Sequence, residues 1–129
     1  MFGLTFDTGA LIALERGRLS MRKVYATAVL NAIPITVPAV VVAEWWRSGM
    51  RERERARVLR SLIVEPTTDY IARLAGAALT LAKGVQTIDA LVMASASQRR
   101  GEIVYTSDPR DFEMLRQVPE LAGVQIERV

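Results

Sequence analysis

Five acidic residues of this sequence stand next to apolar segments: Asp7, Glu44, Asp89, Asp108 and Asp111. Two of them follow short β-type runs, since Asp7 comes after FGLTF and Asp108 after IVYTS. Carboxylates that are brought together raise one another's pKa unless a cation neutralises them. Oxygen ligands suit Mg²⁺ or Mn²⁺, and such ions can activate water at a phosphodiester. These residue types therefore predict a metal site for phosphate-ester hydrolysis, provided that the fold brings them together.

The composition excludes several other chemistries. The chain has 129 residues and neither cysteine nor histidine, which excludes disulfides, thiolate zinc sites and every hydrolase that depends on histidine. Its 17 basic residues are 15 arginines and two lysines, and the formal net charge is +3. Outside the five acids named above, these 17 basic residues stand against only nine acidic ones. The rest of the surface therefore suits a polyanionic partner.

Each of the five acids also has a structural explanation. Asp7 and Asp89 fall at predicted helix starts, where the helix dipole favours negative charge. Asp108 can open a turn, and Asp111 can cap the short helix after it. Glu44 lies in the apolar run AVVVAEWW, where an unpaired buried carboxylate is costly unless a nearby arginine neutralises it. Each explanation is adequate alone, but together they leave unexplained why the acids gather at the same kind of position.

The elements that must position these acids alternate regularly along the chain. Short apolar runs predict strands at 2–6, 34–38, 63–65, 103–106 and 124–127. Helices are predicted at 8–14, 19–33, 39–48, 50–62, from Thr67 or Thr68 to 82, 88–100 and 111–117. Thr8 and Thr87 are expected to cap two of them. Continuous apolar strands between helices predict a single α/β domain over residues 1–129, with a parallel sheet covered on both faces.

Ligands of such sheets bind outside the carboxyl ends of the strands, and several of the acids fall at this edge.

The sequence contains no apolar run of the roughly 20 residues that a membrane helix needs. Its first residues also lack the basic start and small-residue cleavage site of a secretory signal. We therefore expect a cytoplasmic protein with no membrane partner.

Four phrases, read in order, resemble a known family: FDTGALIALE, VPAVVVAEWWR, TIDALVMASA and VYTSDPRDF. They are similar to the motifs of PIN-domain nucleases, specifically the VapC toxins of bacterial toxin–antitoxin pairs, and the likeness runs the whole length of the chain. The resemblance implies a three-layer α/β/α sandwich around a short, mainly parallel sheet. It also implies Mg²⁺- or Mn²⁺-dependent endoribonuclease activity, a homodimer, and inhibition by a VapB-type antitoxin.

The resemblance also assigns roles to single residues. Asp7, Glu44 and Asp89 match the three acids common to the family, and the fourth catalytic acid lies in TSDPRDF. Asp108 is favoured for that position, with Asp111 as an auxiliary or alternative metal ligand. The resemblance implies that Asp7, Asp89 and Asp108 ligate the metal directly, whereas Glu44 ligates it through water or orients the nucleophile.

Further residues are expected to contact the substrate or a partner. Thr8 and Thr106 match positions where the family often has a hydroxyl that can hold water at the metal. Arg47 and Arg51 are the nearest basic residues to Glu44 in sequence and are predicted to contact RNA. The indoles of the adjacent tryptophans 45 and 46 point about 100° apart on a helix, so one is expected to pack in the core and the other to line an antitoxin groove.

Two other functions remain open at this stage. The chain could be a non-catalytic module that binds RNA or a protein partner, in which case chelators would not affect RNA binding. It could also be a phosphatase acting on small phosphoesters, although nothing in the sequence specifies a small-molecule pocket. The complete set of acids favours the nuclease over both.

Overall fold

The computed structural model describes residues 2–46 and 52–129. The described strands form one five-stranded sheet in which every neighbouring pair is parallel, in the order β3-β2-β1-β4-β5. The strands are β1 (Leu4–Phe6), β2 (Ile35–Pro38), β3 (Ile63–Glu65), β4 (Ile103–Thr106) and β5 (Gln125–Arg128). This arrangement confirms the predicted α/β/α class with a parallel sheet.

Burial along the sheet explains why the strands were recognisable. Every residue of β1 and β2 is buried, because helices pack on the sheet and neighbouring strands flank both. Such strands are apolar on both faces rather than alternating. The edge strands β3 and β5 are mostly exposed, and their predicted existence rested on short β-branched runs alone.

The helices follow the predicted order with different ends. They are α1 (Thr8–Glu15), α2 (Leu19–Leu30), α3 (Ala39–Trp46), α4 (Glu52–Leu59), α5 (Asp69–Leu81), α6 (Thr87–Ala96) and α7 (Pro109–Leu115), and a 3-10 turn follows at Pro119–Leu121. The prediction carried α2 to residue 33, but Ala32 adopts φ +55° and the helix stops two residues before it. It also carried α6 to residue 100, whereas the helix ends at Ala96. Residues 47–51, where α3 was predicted to end and α4 to begin, lie outside the described residues.

Two helix caps differ from the prediction. Asp7, and not Thr8, caps α1: its carboxylate accepts a hydrogen bond of 2.8 Å from the Ala10 amide. The cap of α6 is Gln86 rather than Thr87, which occupies the first helical position. At α5 the predicted cap is confirmed, since the Thr68 hydroxyl accepts from the Ile71 amide at 3.2 Å.

The register of the central strands sets the position of the polar residues that follow them. Phe6 pairs with Tyr105, so Asp7 and Thr106 lie side by side at the carboxyl end of the sheet. The Asp7 amide donates to the Tyr105 carbonyl at 3.2 Å, which extends the pairing by one step. In the described part of the chain, no helix combines the length and the apolar character needed to cross a membrane.

Candidate metal centre

A cavity of about 190 Å³ opens at the carboxyl ends of β1 and β4, beside the first turn of α6. All five acids that the sequence singled out line it, together with small and polar residues: Asp7, Glu44, Asp89, Asp108, Asp111, Thr8, Gly9, Gln86, Ile88 and Ser107. None of these lining residues is an arginine or a lysine. The fold therefore gathers five carboxylates around one cavity whose described walls carry no positive side chain.

Asp7 is the most deeply placed of the five. It is 7% exposed, and burial is the main reason why its pKa is raised to about 6, with a smaller contribution from the nearby Glu44 charge. Hydrogen bonds from the Thr106 hydroxyl and from the Ala10 amide act in the opposite direction, because they stabilise the ionised carboxylate. Asp7 is thus held in a fixed position by donors and still resists ionisation.

Asp89 shows the electrostatic cost of the whole group. Burial and repulsion from the other four carboxylates raise its pKa to about 7, with Asp7 the strongest of these neighbours. The helix dipole at the start of α6 favours a negative charge there, yet the pKa is still raised. A structural explanation from helix capping alone therefore does not account for Asp89.

Glu44 and Thr8 connect two helices at the cavity. The Thr8 hydroxyl, in the first turn of α1, donates a hydrogen bond to the Glu44 carboxylate near the end of α3. Glu44 is half-buried rather than deeply buried, because its side chain reaches the cavity instead of the core beneath α3.

Thr106 lies beneath the cavity rather than in its wall. It is fully buried, donates to Asp7, and accepts a hydrogen bond of 2.9 Å from the Asp108 amide. One hydroxyl therefore positions the acids that follow two neighbouring strands. Asp108 stands at the N-cap position of α7, but its side chain makes no capping hydrogen bond to the described part of that helix. Asp111 lies half-buried in the first turn of α7.

Sequence reasoning missed four lining residues: Gly9, Gln86, Ile88 and Ser107. Gly9 is needed for a close approach, because a Cβ atom there would lie only 2.8 Å from the Ser107 Cβ. The phrase DTG contained this signal, but only the register of β1 with β4 shows what the glycine approaches. Arg47 and Arg51, the predicted RNA contacts, lie outside the described residues.

The chemistry of the donors fits a hard divalent cation. Carboxylate and hydroxyl oxygens are the ligands that Mg²⁺ and Mn²⁺ prefer, and a cation would relieve the repulsion that raises the pKa of Asp7 and Asp89. Within residues 2–46 and 52–129, however, no three carboxylates are already arranged as ligands of a single ion. The donor set fits, and ion binding would require the side chains to draw together.

Fold and site together define the class of protein. The model of the PIN domain family matches residues 4–119, so the chain belongs to the PIN domain family. Among curated proteins, none gives a significant sequence match.

Solved structures show the same fold over the whole chain. A chain in the crystal structure of VapBC2 from Rickettsia felis, bound to a DNA fragment from their promoter, is 13% identical with a TM-score of 0.76, covering 100% of this chain and 99% of that one. In DNA-bound VapBC from Salmonella typhimurium the values are 21% identity, a TM-score of 0.72, and coverage of 99% and 98%. A chain in a toxin–antitoxin complex from Klebsiella pneumoniae is 22% identical with a TM-score of 0.71, and the match covers 95% of each chain. Because the sequence identities are this low, the likeness to these structures shows a shared fold and nothing more.

Proposed function

We propose that this PIN domain is a VapC-like toxin, a Mg²⁺- or Mn²⁺-dependent endoribonuclease that hydrolyses RNA phosphodiester bonds and is neutralised by a VapB-type antitoxin. The observation that carries the proposal is the group of five carboxylates around one cavity without a basic side chain in its described wall. A purely structural group of this kind would destabilise the fold at neutral pH, since two of its members have raised pKa values.

The proposed roles are those that the resemblance to VapC toxins implies, and the shared cavity supports them. Asp7, Asp89 and Asp108 are the direct ligands, and Asp111 is an auxiliary or alternative ligand beside Asp108. Glu44, held by Thr8, orients the attacking water or binds the ion through water. When bound, the ion activates water for attack on phosphorus and stabilises the charge that develops on the leaving oxygen. A carboxylate site of this kind needs no histidine, which the chain lacks.

Two threonines support the site differently. Thr106 fixes Asp7 and the Asp108 amide from below, so its proposed contribution is to the spacing of two ligands. Thr8 lies in the cavity wall and bonds Glu44, so its hydroxyl can also hold water at the reacting centre.

The proposed substrate is RNA because the chain outside the five cavity acids is basic, with 17 basic residues against nine acidic ones. On α4, Arg53 and Arg57 are exposed and lie about one helical turn apart, and a phosphate backbone would be attracted to such a face. Arg47 and Arg51 are proposed as RNA contacts because they are the nearest basic residues to Glu44 in sequence. The proposed antitoxin is of the VapB type, because structural relatives of the chain are found in VapBC complexes, and the proposed assembly is a homodimer.

The decisive test is cleavage of total RNA by purified protein with Mn²⁺, with and without EDTA. We expect Asp7→Asn and Asp89→Asn to fold normally and to lose at least roughly a thousandfold in rate, which corresponds to about 4 kcal/mol in the barrier. The matched control is Asp69→Asn, because Asp69 is 77% exposed and bonds only Arg73 among the described residues.

Full activity in either site variant would overturn the proposed centre. RNA binding that is unaffected by EDTA, without cleavage in Mn²⁺, would instead favour a non-catalytic RNA-binding module. Relief of growth arrest by the same two substitutions in cells would support the toxin role, and restored growth on co-expression of an adjacent small gene would identify the antitoxin.

A further inference from the structure

The last described turn of α3 carries Glu44 and contacts a cluster of three side chains from three helices, two of them buried and one partly buried. Trp45 is 1% exposed, and its indole Nε1 donates a hydrogen bond of 2.9 Å to Glu15 Oε1 at the end of α1. Arg55 of α4 is 2% exposed and lies 3.3 Å from the other Glu15 oxygen. We refer to these residues as the Glu15–Trp45–Arg55 cluster.

Arg55 also acts directly on α3. Its Nη1 donates a hydrogen bond of 3.0 Å to the Trp46 carbonyl, and its guanidinium carbon lies 5.8 Å from the centre of the Trp45 ring. The described end of α3 is therefore held by the hydrogen bond from Trp45 to Glu15, by the hydrogen bond from Arg55 to its backbone and by contact of Arg55 with the Trp45 ring.

Stability alone is a poor explanation for such a pair. Removing two charges from water costs about as much as their attraction returns, and apolar residues of similar volume often stabilise a fold as well or better. A buried, hydrogen-bonded pair does favour one relative orientation of the elements that it joins. Here those elements are the helix with Thr8, the helix with Glu44, and α4.

Small rotations of α3 matter at the cavity. Because a helix with its side chains has a radius of about 5–6 Å, a rotation of about 10° displaces a side-chain tip by about 1 Å. Functional sites need their groups within about 0.5 Å of the productive geometry. The hydrogen bond from Thr8 restrains the Glu44 carboxylate, whereas the hydrogen bond from Arg55 restrains the backbone at Trp46.

We propose that Glu15, Trp45 and Arg55 are positioning residues that set the orientation of the last turn of α3 and hence the place of the Glu44 carboxylate at the cavity. They contact neither substrate nor ion and act through Glu44. The expected effect on metal binding rests on the proposed function. The expected effect on the position of Glu44 does not, because it concerns the folded protein alone.

Two variants separate positioning from packing. Trp45→Phe keeps an aromatic ring in the core and removes the Nε1 donor. The triple variant Glu15→Met, Trp45→Phe, Arg55→Met replaces the pair by apolar residues and leaves no indole donor without its acceptor, so it is expected to fold. Asp69→Asn with Arg73→Gln removes an exposed ion pair on α5 and is the matched control.

Calorimetric titration with Mn²⁺ is the first measurement. Both cluster variants should bind Mn²⁺ roughly 10-fold more weakly than the unaltered protein, whereas the control should not change. In a Glu44→Gln background the same substitutions should change the affinity by less than about twofold, because residues that act through one group are not additive with its loss. An unchanged affinity in folded cluster variants, or an equal loss in the Glu44→Gln background, would overturn the inference.

Crystal structures without metal are the second measurement. In the cluster variants the Glu44 carboxylate should leave the Thr8 hydroxyl, while Asp7 and Asp89 keep their positions. If Glu44 moves in this way but the unaltered protein binds no Mn²⁺, the positioning role stands and the nuclease proposal fails. If Glu44 stays in place, the positioning role fails and the nuclease proposal is unaffected.

Discussion

Two groups of carboxylates in this molecule meet opposite conditions. Around the cavity, five acids share a wall without a basic side chain among the described residues. Beneath α6, Glu65 and Glu102 share one arginine: Arg99 lies 2.7 Å from the first and 2.9 Å from the second. The hydroxyls of Ser95 and Thr5 donate to Glu65 and Glu102 respectively.

The difference teaches how to tell a structural acid from a functional one. Glu102 is only 1% exposed, yet it is paired with Arg99, which also bonds Thr5. No basic side chain lines the described wall of the cavity, and burial and repulsion raise the pKa values of Asp7 and Asp89 there. Pairing with an internal arginine marks the first group as part of the fold, and the lack of a basic side chain in the described wall of the cavity supports the proposed site for an external cation.

Removing the internal cation should have the largest effect on stability. Arg99→Met leaves Glu102 charged and buried without its partner, so we expect a loss of about 3–5 kcal/mol in the free energy of unfolding. Urea unfolding at neutral pH measures it, and Mn²⁺ affinity in the folded fraction should be unchanged. A loss below about 1 kcal/mol would show that Arg99 is no more than a surface pair.

The pH dependence of stability should separate the groups next. The folded-state pKa values of Asp7 and Asp89 are raised to about 6 and about 7, above those of the unfolded chain. The contribution of these two carboxyl groups to the free energy of unfolding is therefore fully present below about pH 4 and is lost as the pH rises through 6 to 7. For the buried Asp7, each unit of pKa shift corresponds to about 1.4 kcal/mol, which gives a fall of the order of 2–3 kcal/mol.

Thermal unfolding in EDTA between pH 4.5 and 8 measures this fall, in solution conditions of roughly constant ionic strength. Saturating Mn²⁺ should flatten the curve, because a bound cation favours the ionised carboxylates. If the stability of the metal-free protein rises with pH over the same interval, the pH dependence does not come from the raised pKa values of these two acids.

Neutralising one cavity acid should have the smallest effect on stability and the opposite sign. Asp89→Asn removes repulsion among five carboxylates, so the metal-free protein at pH 8 should be stabilised by about 1 kcal/mol after allowance for solvent screening at this half-buried position. The control Asp69→Asn should stay within about 0.5 kcal/mol of the unaltered chain. Destabilisation by Asp89→Asn in the absence of metal would indicate a structural role for that carboxylate.

Much of the fold could be predicted because the buried strands are written as continuous apolar runs. LTF of β1 and ITVP of β2 lie side by side within the sheet, and the burial of every residue in them leaves few alternatives to a strand. Helix ends were less predictable, since they depend on single contacts. Asp7 caps α1 in place of Thr8 because its carboxylate reaches the Ala10 amide, and such a choice between adjacent polar residues is decided by backbone angles.

The sequence singled out the acids of the candidate site but not the residues that position them. All five acids line the cavity, but the role of Thr106 as a donor to Asp7 follows from the pairing of β1 with β4. Ser107 and Gln86 gave no signal in sequence, because a lone polar residue at the end of an element fits any loop. The prediction that one tryptophan packs in the core is confirmed for Trp45, whose partner Glu15 lies 30 residues away.

By itself, the sequence determined which atoms are available for chemistry: oxygen donors and arginines, with no imidazole and no thiol. It also determined that four of the five acids follow strands or open helices. Only the tertiary structure decided which carboxylates have an internal cation or a buried hydroxyl donor, because that depends on contacts such as Arg99 with Glu65, 34 residues apart, and Thr5 with Glu102, 97 apart. Electrostatic interactions fall off with distance in space, and separation along the chain does not reveal that distance.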